Sequence, residues 1–455
     1  IAASAPVWGF PLDGTAVDSS ARVVTYAASA QAGAAPRCAE NLKAAYVLLS
    51  DIGSTEWGRE MVSQTAGLCT PLQSAADVSQ LLSYLQSPLF DLSEGSYPFP
   101  SDYITFALTG TDAPLPPWAM QVMCSAVEAD FNTTIEGDTS DVRFSVTAGG
   151  VGVQVDWDSR ESNGYSAEQV GASGALELIA AAARGVQVWY NVTGEMACAD
   201  WSLRGQDQGQ GQKQKQKQKQ GQRRSLSRQA RAHAPASTSV SASASASSTA
   251  GAPTSTSTTC TASTLDAGTA WNALVCNDGI NLVNWWAQGV GADLYWPPNQ
   301  PRNYTMQSLV PLSLDFCAFL GQAGLYGAPS KGDVWAEWLD TVYGGTRIQY
   351  ASNIVFSNGD LDPWSPAGVQ ARSSGDRGGG RGTDSRDSSR DSSTGNSASL
   401  SNDGSVVSLS IAMGGHHLDL FWPTDSDPQS VREVRAVERQ HVQRWIDQVR
   451  ERAGV

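Results

Sequence analysis

The 455 residues hold 30 basic and 45 acidic side chains, a formal charge of −15, and 41% of them are hydrophobic. That acidic balance argues against nucleic acid or anionic lipid as the main partner, and the length and apolar content suffice for two domains with a sizeable core. No run of about 18 or more apolar residues occurs, so no membrane span is expected.

In chain order, the opening IAASAPVWGF lacks a methionine and a visible signal peptide, and residues 1–7 read as a short buried strand. A mature amino terminus is usually polar and loose, so this opening is expected of the carboxyl-terminal part of a longer protein. Residues 36–50, 76–87 and 166–184 carry the spacing of amphipathic helices. Residues 203–263 are low in complexity, first Gln, Gly and Lys, then Ser, Thr and Ala. With almost no large apolar side chain they read as a surface insertion, a basic binding arm being the alternative for the Lys/Gln repeat. His233 and Cys260 fall inside it and are set aside as site residues. Residues 353–357 and 405–412 read as short buried strands, separated by a second Gly/Ser/Asp/Arg insert at 371–402. Insertions of this kind are tolerated because closure entropy grows only logarithmically with length. The last element is a helix to about residue 450, with Asp427 as N-cap and Pro428 at its first position. Val434, Val437, His441, Trp445 and Val449 share one of its faces, which makes His441 a packed core histidine.

The seven cysteines form no CxxC pair, which argues against zinc or thioredoxin-type chemistry. Wide single spacing suits long-range disulfides in an oxidising compartment, with buried free thiols as the alternative. Asn132, Asn191 and Asn303 begin N-x-S/T sequons, a number that chance supplies in so Ser- and Thr-rich a chain.

Two stretches place reactive groups directly after a strand. In NIVFSNGDLDPW (353–364) an Asn-Gly turn leads to Asp360 and Asp362. A carboxylate at the tip of a buried strand is held rigidly enough to orient an imidazole, although a lone aspartate there is more commonly a turn or capping residue. In SVVSLSIAMGGHHLDL (405–420) the strand ends in Gly-Gly and presents His416 and His417, two of only four histidines. Histidine is the natural proton shuttle near neutral pH. Adjacent side chains point apart, so a metal site at this pair is not expected. The order strand-Asp, strand-His, terminal helix matches the end of an α/β-hydrolase, whose triad runs Ser, Asp, His. No G-x-S-x-G occurs in the 455 residues; Ser96 lacks the second glycine and Ser4 lies within a predicted strand. The nucleophile is therefore expected outside this chain.

At these residues the chain resembles the family of lysosomal Pro-X carboxypeptidase and dipeptidyl peptidase II. The resemblance rests on NIVFSNGDLDPW and GGHHLDL and extends to the opening IAASAPVWGF and the cysteine segments PRCAENL, GLCTPL, VMCSAV and YNVTGEMAC. It implies an α/β fold with a partial hydrolase sheet holding only the late strands, and a large inserted helical cap. By it, residues 1–18 are a core strand, 19–320 the cap carrying the 203–263 insert, and 321–455 the carboxyl-terminal core carrying the 371–402 insert. It implies a serine-type exopeptidase cleaving next to proline, with Asp362 as triad acid, His416 as base and His417 as a structural neighbour. Trp364 and Asp278 would line the substrate site; a packed structural tryptophan is the other reading of Trp364. Disulfides Cys38–Cys124, Cys69–Cys198 and Cys276–Cys317 are implied, leaving Cys260 unpaired. No cofactor or metal is implied. The partner implied is a peptide with proline near the scissile bond, the location a lysosome, vacuole or the outside of the cell, and a homodimer is left open. The run after LDPW, Ser365-Pro366-Ala367-Gly368, and the pair Asn277-Asp278 depart from the family's wording, which bears on specificity. The competing reading is a catalytically inactive, hydrolase-like binding or scaffold protein. With few hydrolase strands and an open sheet edge, the isolated chain is expected to express poorly or aggregate, and not to react with a fluorophosphonate probe.

Overall fold

The computed structural model describes residues 20–109, 112–136, 143–156, 161–163, 174–202, 293–295, 351–369, 397–401 and 403–454. The opening strand expected at 1–7, the whole of the 203–263 insert, most of the 371–402 insert and the pair Cys276–Cys317 lie outside the described residues.

The first part is a helical layer. Helices α1 (Ser20–Ala27), α2 (Cys38–Ile52), α3 (Glu56–Thr65), α4 (Ala75–Gln86), α5 (Pro88–Glu94), α6 (Tyr103–Thr109) and α7 (Ala119–Ser125) follow one another over short turns. Local chemistry sets their starts. Thr55 accepts the Gly58 N–H ahead of α3, and Ser74 and Asp77 form a reciprocal capping box on α4. Pro88 opens α5, where a missing N–H costs nothing. Helix α2 is buried along Leu42, Ala45, Tyr46, Leu48, Leu49 and Ile52, and it packs on the alanine-rich α8 (Ala175–Gly185), which α9 (Gln187–Tyr190) follows. Disulfides Cys38–Cys124 and Cys69–Cys198 close loops of 86 and 129 residues across this layer.

The segment expected to be a helical cap also contains a sheet. Strands β1 (Thr134–Glu136), β2 (Arg143–Ala148), β3 (Val151–Asp156) and β4 (Glu161–Asn163) form an antiparallel meander in that order. The β2–β3 turn is Gly149-Gly150, with φ of 58° and 83°, the doubly left-handed geometry that a two-residue hairpin needs. A Cβ on Gly149 would lie 2.2 Å from the Ala175 nitrogen, so the hairpin also abuts the start of α8.

The second part is a three-stranded sheet. Strand β5 (Ile354–Gly359) lies parallel to β7 (Val406–Ile411), whose other edge pairs antiparallel with β6 (Ser397–Ser399). Helix α10 (Gln429–Ala453) covers one face, packing Val431, Val434 and Trp445 against Val355, Val407, Leu409 and Ile411, with Tyr97 and Ile104 in the same cluster. Its start differs from expectation. Pro428 is the N-cap and the Asp427 side chain does not cap α10; its carboxylate turns instead to the Thr424 N–H and to the Arg435 guanidinium. A buried cation outcompetes a helix N–H for that carboxylate. The apolar stripe also ends earlier than expected, since Val449 is 62% exposed. Among the described residues no helix is long and apolar enough to cross a membrane.

Candidate active site

Because β5 and β7 run parallel and in register, Ile354 against Val406 through Gly359 against Ile411, both strands end at the same edge of the sheet. The loops that follow are joined main chain to main chain. Asp360 N–H donates to the Ile411 carbonyl at 3.0 Å, and Leu361 N–H to the Gly414 carbonyl at 2.9 Å. The approach is so close that a Cβ on Gly359 would sit 2.2 Å from the Gly414 oxygen, so glycine is required there.

On this frame Asp362, 1% exposed, splits its carboxylate between two donors. Oδ1 accepts the Trp364 main-chain N–H at 2.9 Å, and Oδ2 lies 3.0 Å from His416 Nδ1. The His416 main chain is fixed as firmly: its N–H donates to the Glu94 carbonyl at the end of α5 (3.1 Å), and its carbonyl accepts the Tyr97 hydroxyl at 2.8 Å. Helix-end carbonyls lack intrahelical partners, and this one finds its donor in the histidine loop. His417 adopts the left-handed φ of 58° that turns the chain into Leu418–Leu420. From α10, buried Arg435 donates through Nε to the Asp419 carbonyl (2.8 Å) and through Nη2 to those of Leu418 (2.7 Å) and Phe421 (3.0 Å), while Nη1 pairs with Asp427.

A second carboxylate stands on the far side of the imidazole. Glu94 Oε1 is 3.6 Å from His416 Nε2 and accepts the Trp364 indole N–H at 3.1 Å. Both side chains are largely enclosed, 13% exposed for His416 and 12% for Glu94. Burial opposes charge on His416, but the Asp362 carboxylate and its hydrogen bond, aided by Glu94, outweigh it and hold the imidazole above its ordinary pKa. Burial pushes Glu94 up to about 7, with the His416 charge pulling the other way. His417, its ring centroid 3.6 Å from that of His416 and tilted by 47°, is held down at about 4 by burial and by that neighbour. An imidazole with Nδ1 tied to a buried carboxylate and Nε2 on its other side is equipped to take and return a proton.

No family model matches the chain. Curated lysosomal Pro-X carboxypeptidases do: those of Pongo abelii and Homo sapiens are each 22% identical over 454 residues, 100% of this chain and 59% of theirs. That of Bos taurus is 23% identical over 446 residues, 98% of this chain and 58% of its own. The chain is a distant relative of the lysosomal Pro-X carboxypeptidases. It spans about three fifths of the length of these relatives, which are peptidases by name and therefore hydrolases.

Of the residues that the Pro-X carboxypeptidase resemblance singles out, Asp362, His416 and Trp364 meet at one place. Trp364 is half-buried, edge-on to Phe90 with ring centroids 5.5 Å apart. Asp278 and Asn303 lie outside the described residues. Asn132 is exposed, whereas the Asn191 amide is engaged on both sides by the Met196 main chain at 2.8 and 3.0 Å. Ser96, the nearest approach to a nucleophile motif, is buried, donating to the Leu92 carbonyl and accepting from Met120 N–H. His441 is half-buried rather than packed in the core, and it faces the Arg444 guanidinium at 2.9 Å. Glu94, Tyr97 and Arg435 were not foreseen, because no local motif marks a residue that acts only through tertiary contact.

A second carboxyl pair flanks the histidine loop. Burial pushes Glu438 up to about 8, assisted by the charge and hydrogen bond of Asp419, which also accepts the Ser357 hydroxyl at 2.7 Å. Above pH 6.5 an unfolded chain keeps its glutamates ionised and its histidines mostly neutral. The folded chain still holds protons on Glu94 and Glu438 there, so it binds more protons than the unfolded one and loses stability as pH rises through about 7 and 8. The low-lying His417 and His441 act in the opposite sense only below that window. Thermal unfolding should therefore show Tm falling from pH 6.5 to 8, and Glu438→Gln should flatten the fall; a Tm that rises over this range contradicts the assignment.

Proposed function

We propose that this chain supplies the acid and base of a serine-type exopeptidase that cleaves peptides next to proline. The observation that carries the reading is the 3.0 Å contact between Asp362 Oδ2 and His416 Nδ1 at the shared edge of two parallel strands, with Nε2 on the opposite side of the ring. Distant likeness to Pro-X carboxypeptidases along the whole chain supports the substrate class.

In this reading the nucleophile is a serine from the part of the relatives' length that the chain does not span. His416 Nε2 takes the hydroxyl proton as oxygen attacks the scissile carbonyl, and it returns that proton to the leaving amine as the C–N bond breaks. Asp362 keeps the second proton on Nδ1 and stabilises the imidazolium. The Trp364 ring, backed by Phe90, offers an apolar wall for a proline ring, and the resemblance assigns Asp278 to substrate binding as well. The helical layer restricts access to chain ends, and the location is a lysosome, vacuole or the cell exterior.

The test joins the chain to its upstream coding sequence and assays two peptides, one ending in Pro-X and one beginning with X-Pro, alongside fluorophosphonate labelling. Turnover of either peptide with labelling at an upstream serine is the expected result. Absence of both, in protein whose upstream sequence carries no G-x-S-x-G, favours an inactive, hydrolase-like binding protein. Labelling of a serine within these 455 residues would overturn the account of where the nucleophile lies.

A further inference from the structure

Three groups hold His416 in place, and the peptidase reading uses only two of them. Asp362 takes Nδ1 and the main chain fixes the loop; the third is the Glu94 carboxylate on the Nε2 side. We propose that Glu94 is a positioning residue that shares the Nε2 proton of His416 and so holds the basic nitrogen occupied until an incoming hydroxyl displaces it. The inference rests on the peptidase reading of His416.

Geometry carries it. Glu94 ends α5, and its own carbonyl is the acceptor for the His416 N–H, so backbone and side chain of one residue address backbone and side chain of the other. The Trp364 indole N–H, 3.1 Å from Oε1, anchors that oxygen on the Nε2 side of the ring. Trp364 follows Asp362 by two residues, and its main-chain N–H is bonded to the Asp362 carboxylate. The two carboxylates that bracket the imidazole are thus tied through a single tryptophan. At 3.6 Å the contact is longer than a formed hydrogen bond, which is the distance of a partner able to yield the nitrogen to a better-placed one.

Among the described residues, the charged and titratable groups facing this pair are few. Asp362 and His416 come from the two strand-tip loops, and His417 and Asp419 from the histidine loop. Tyr97 and Tyr103 come from the helical layer, both held protonated by burial. None of these is a cation that would release Glu94 from His416. Burial of Glu94 keeps its proton within reach of neutral pH, so one proton is divided between carboxyl and imidazole: either the acid donates to Nε2, or the carboxylate accepts from the imidazolium. In both forms Nε2 faces the Glu94 carboxyl across 3.6 Å. A base freed from this partner would titrate lower and would be open at lower pH.

The experiment reads protonation rather than turnover, and it uses the chain joined to its upstream coding sequence, as in the peptidase test. His416 is titrated by NMR, with the imidazole signals assigned by His416→Asn and His417→Asn, in wild type, Glu94→Gln, Glu94→Leu and Glu94→Asp. The expected result is a His416 midpoint lower by at least about one pH unit in Glu94→Gln and Glu94→Leu, about tenfold in proton affinity, with Glu94→Asp retaining part of the wild-type value. His441, remote on α10, should keep its midpoint and serves as the control for an intact fold. An unmoved His416 midpoint overturns the proposal, as does a shift that His441 shares. Because no substrate is involved, loss of the peptidase reading would show as absent turnover in the upstream-joined protein, with this titration unchanged.

Discussion

Asp362→Asn is expected to lower kcat by about 10⁴-fold in the protein that carries the nucleophile, with KM little affected. The change keeps size and shape, and the remaining oxygen still accepts the Trp364 N–H. At Nδ1, however, it substitutes an amide that can present N–H₂ where the imidazole presents N–H. Two donors cannot face each other, so the ring adopts the wrong tautomer or turns away, and Nε2 is no longer a base. Burial sharpens the effect, because Asp362 is 1% exposed and water does not compensate. Kinetics with a proline-containing peptide, with circular dichroism to establish that the fold is kept, provide the check. A loss of less than tenfold would remove Asp362 from the acid's role.

Arg435→Met is expected to cost about 3–5 kcal/mol, a large share of the 5–15 kcal/mol that typically separates folded from unfolded chains. The guanidinium is buried and meets four acceptors: three carbonyls of the histidine loop and the Asp427 carboxylate. Removing it leaves a buried anion without its cation and three carbonyls without donors, and a methionine stem replaces only the packing. Arg435→Lys should recover little, since an ammonium cannot match the planar fork that reaches Leu418, Asp419 and Phe421 together. Urea unfolding measures the loss, and a cycle with Asp427→Asn isolates the pair, whose coupling should be at least about 0.5 kcal/mol. A cost below about 1 kcal/mol for Arg435→Met would mean that the loop holds its shape without this residue.

The parts of the molecule that local sequence encodes were legible in it. The strands at 354–359 and 406–411, the helices at 38–52 and 75–86 and the long terminal helix each carry their own periodicity, and the predicted spans fall within a few residues of the observed ones. The turn expected at Asn358-Gly359 begins one residue later, because both residues pair within β5, but together with Gly414-Gly415 it marked the edge where Asp362 and His416 meet. What escaped was decided by distant neighbours. Asp427 reads as an N-cap until Arg435, eight positions along, claims its carboxylate. Glu94 carries no signal in SEGSYPF, and its meaning comes from Trp364, 270 positions away. The meander at 134–163 does carry local signals, the alternation of VGVQVD and the hairpin pair Gly149-Gly150, which a helical-cap reading of that stretch hides.

The joining of the acid and histidine loops by their own peptide groups has an evolutionary consequence. Amide and carbonyl are common to nearly every residue, so the spacing between Asp362 and His416 depends on strand register and a few glycines rather than on the side chains around them. Such an arrangement can outlast wholesale replacement of its surroundings. A geometry held in this way tolerates wide divergence of the surrounding surfaces and inserts, provided that the register of the two strands and the glycines at their tips are kept.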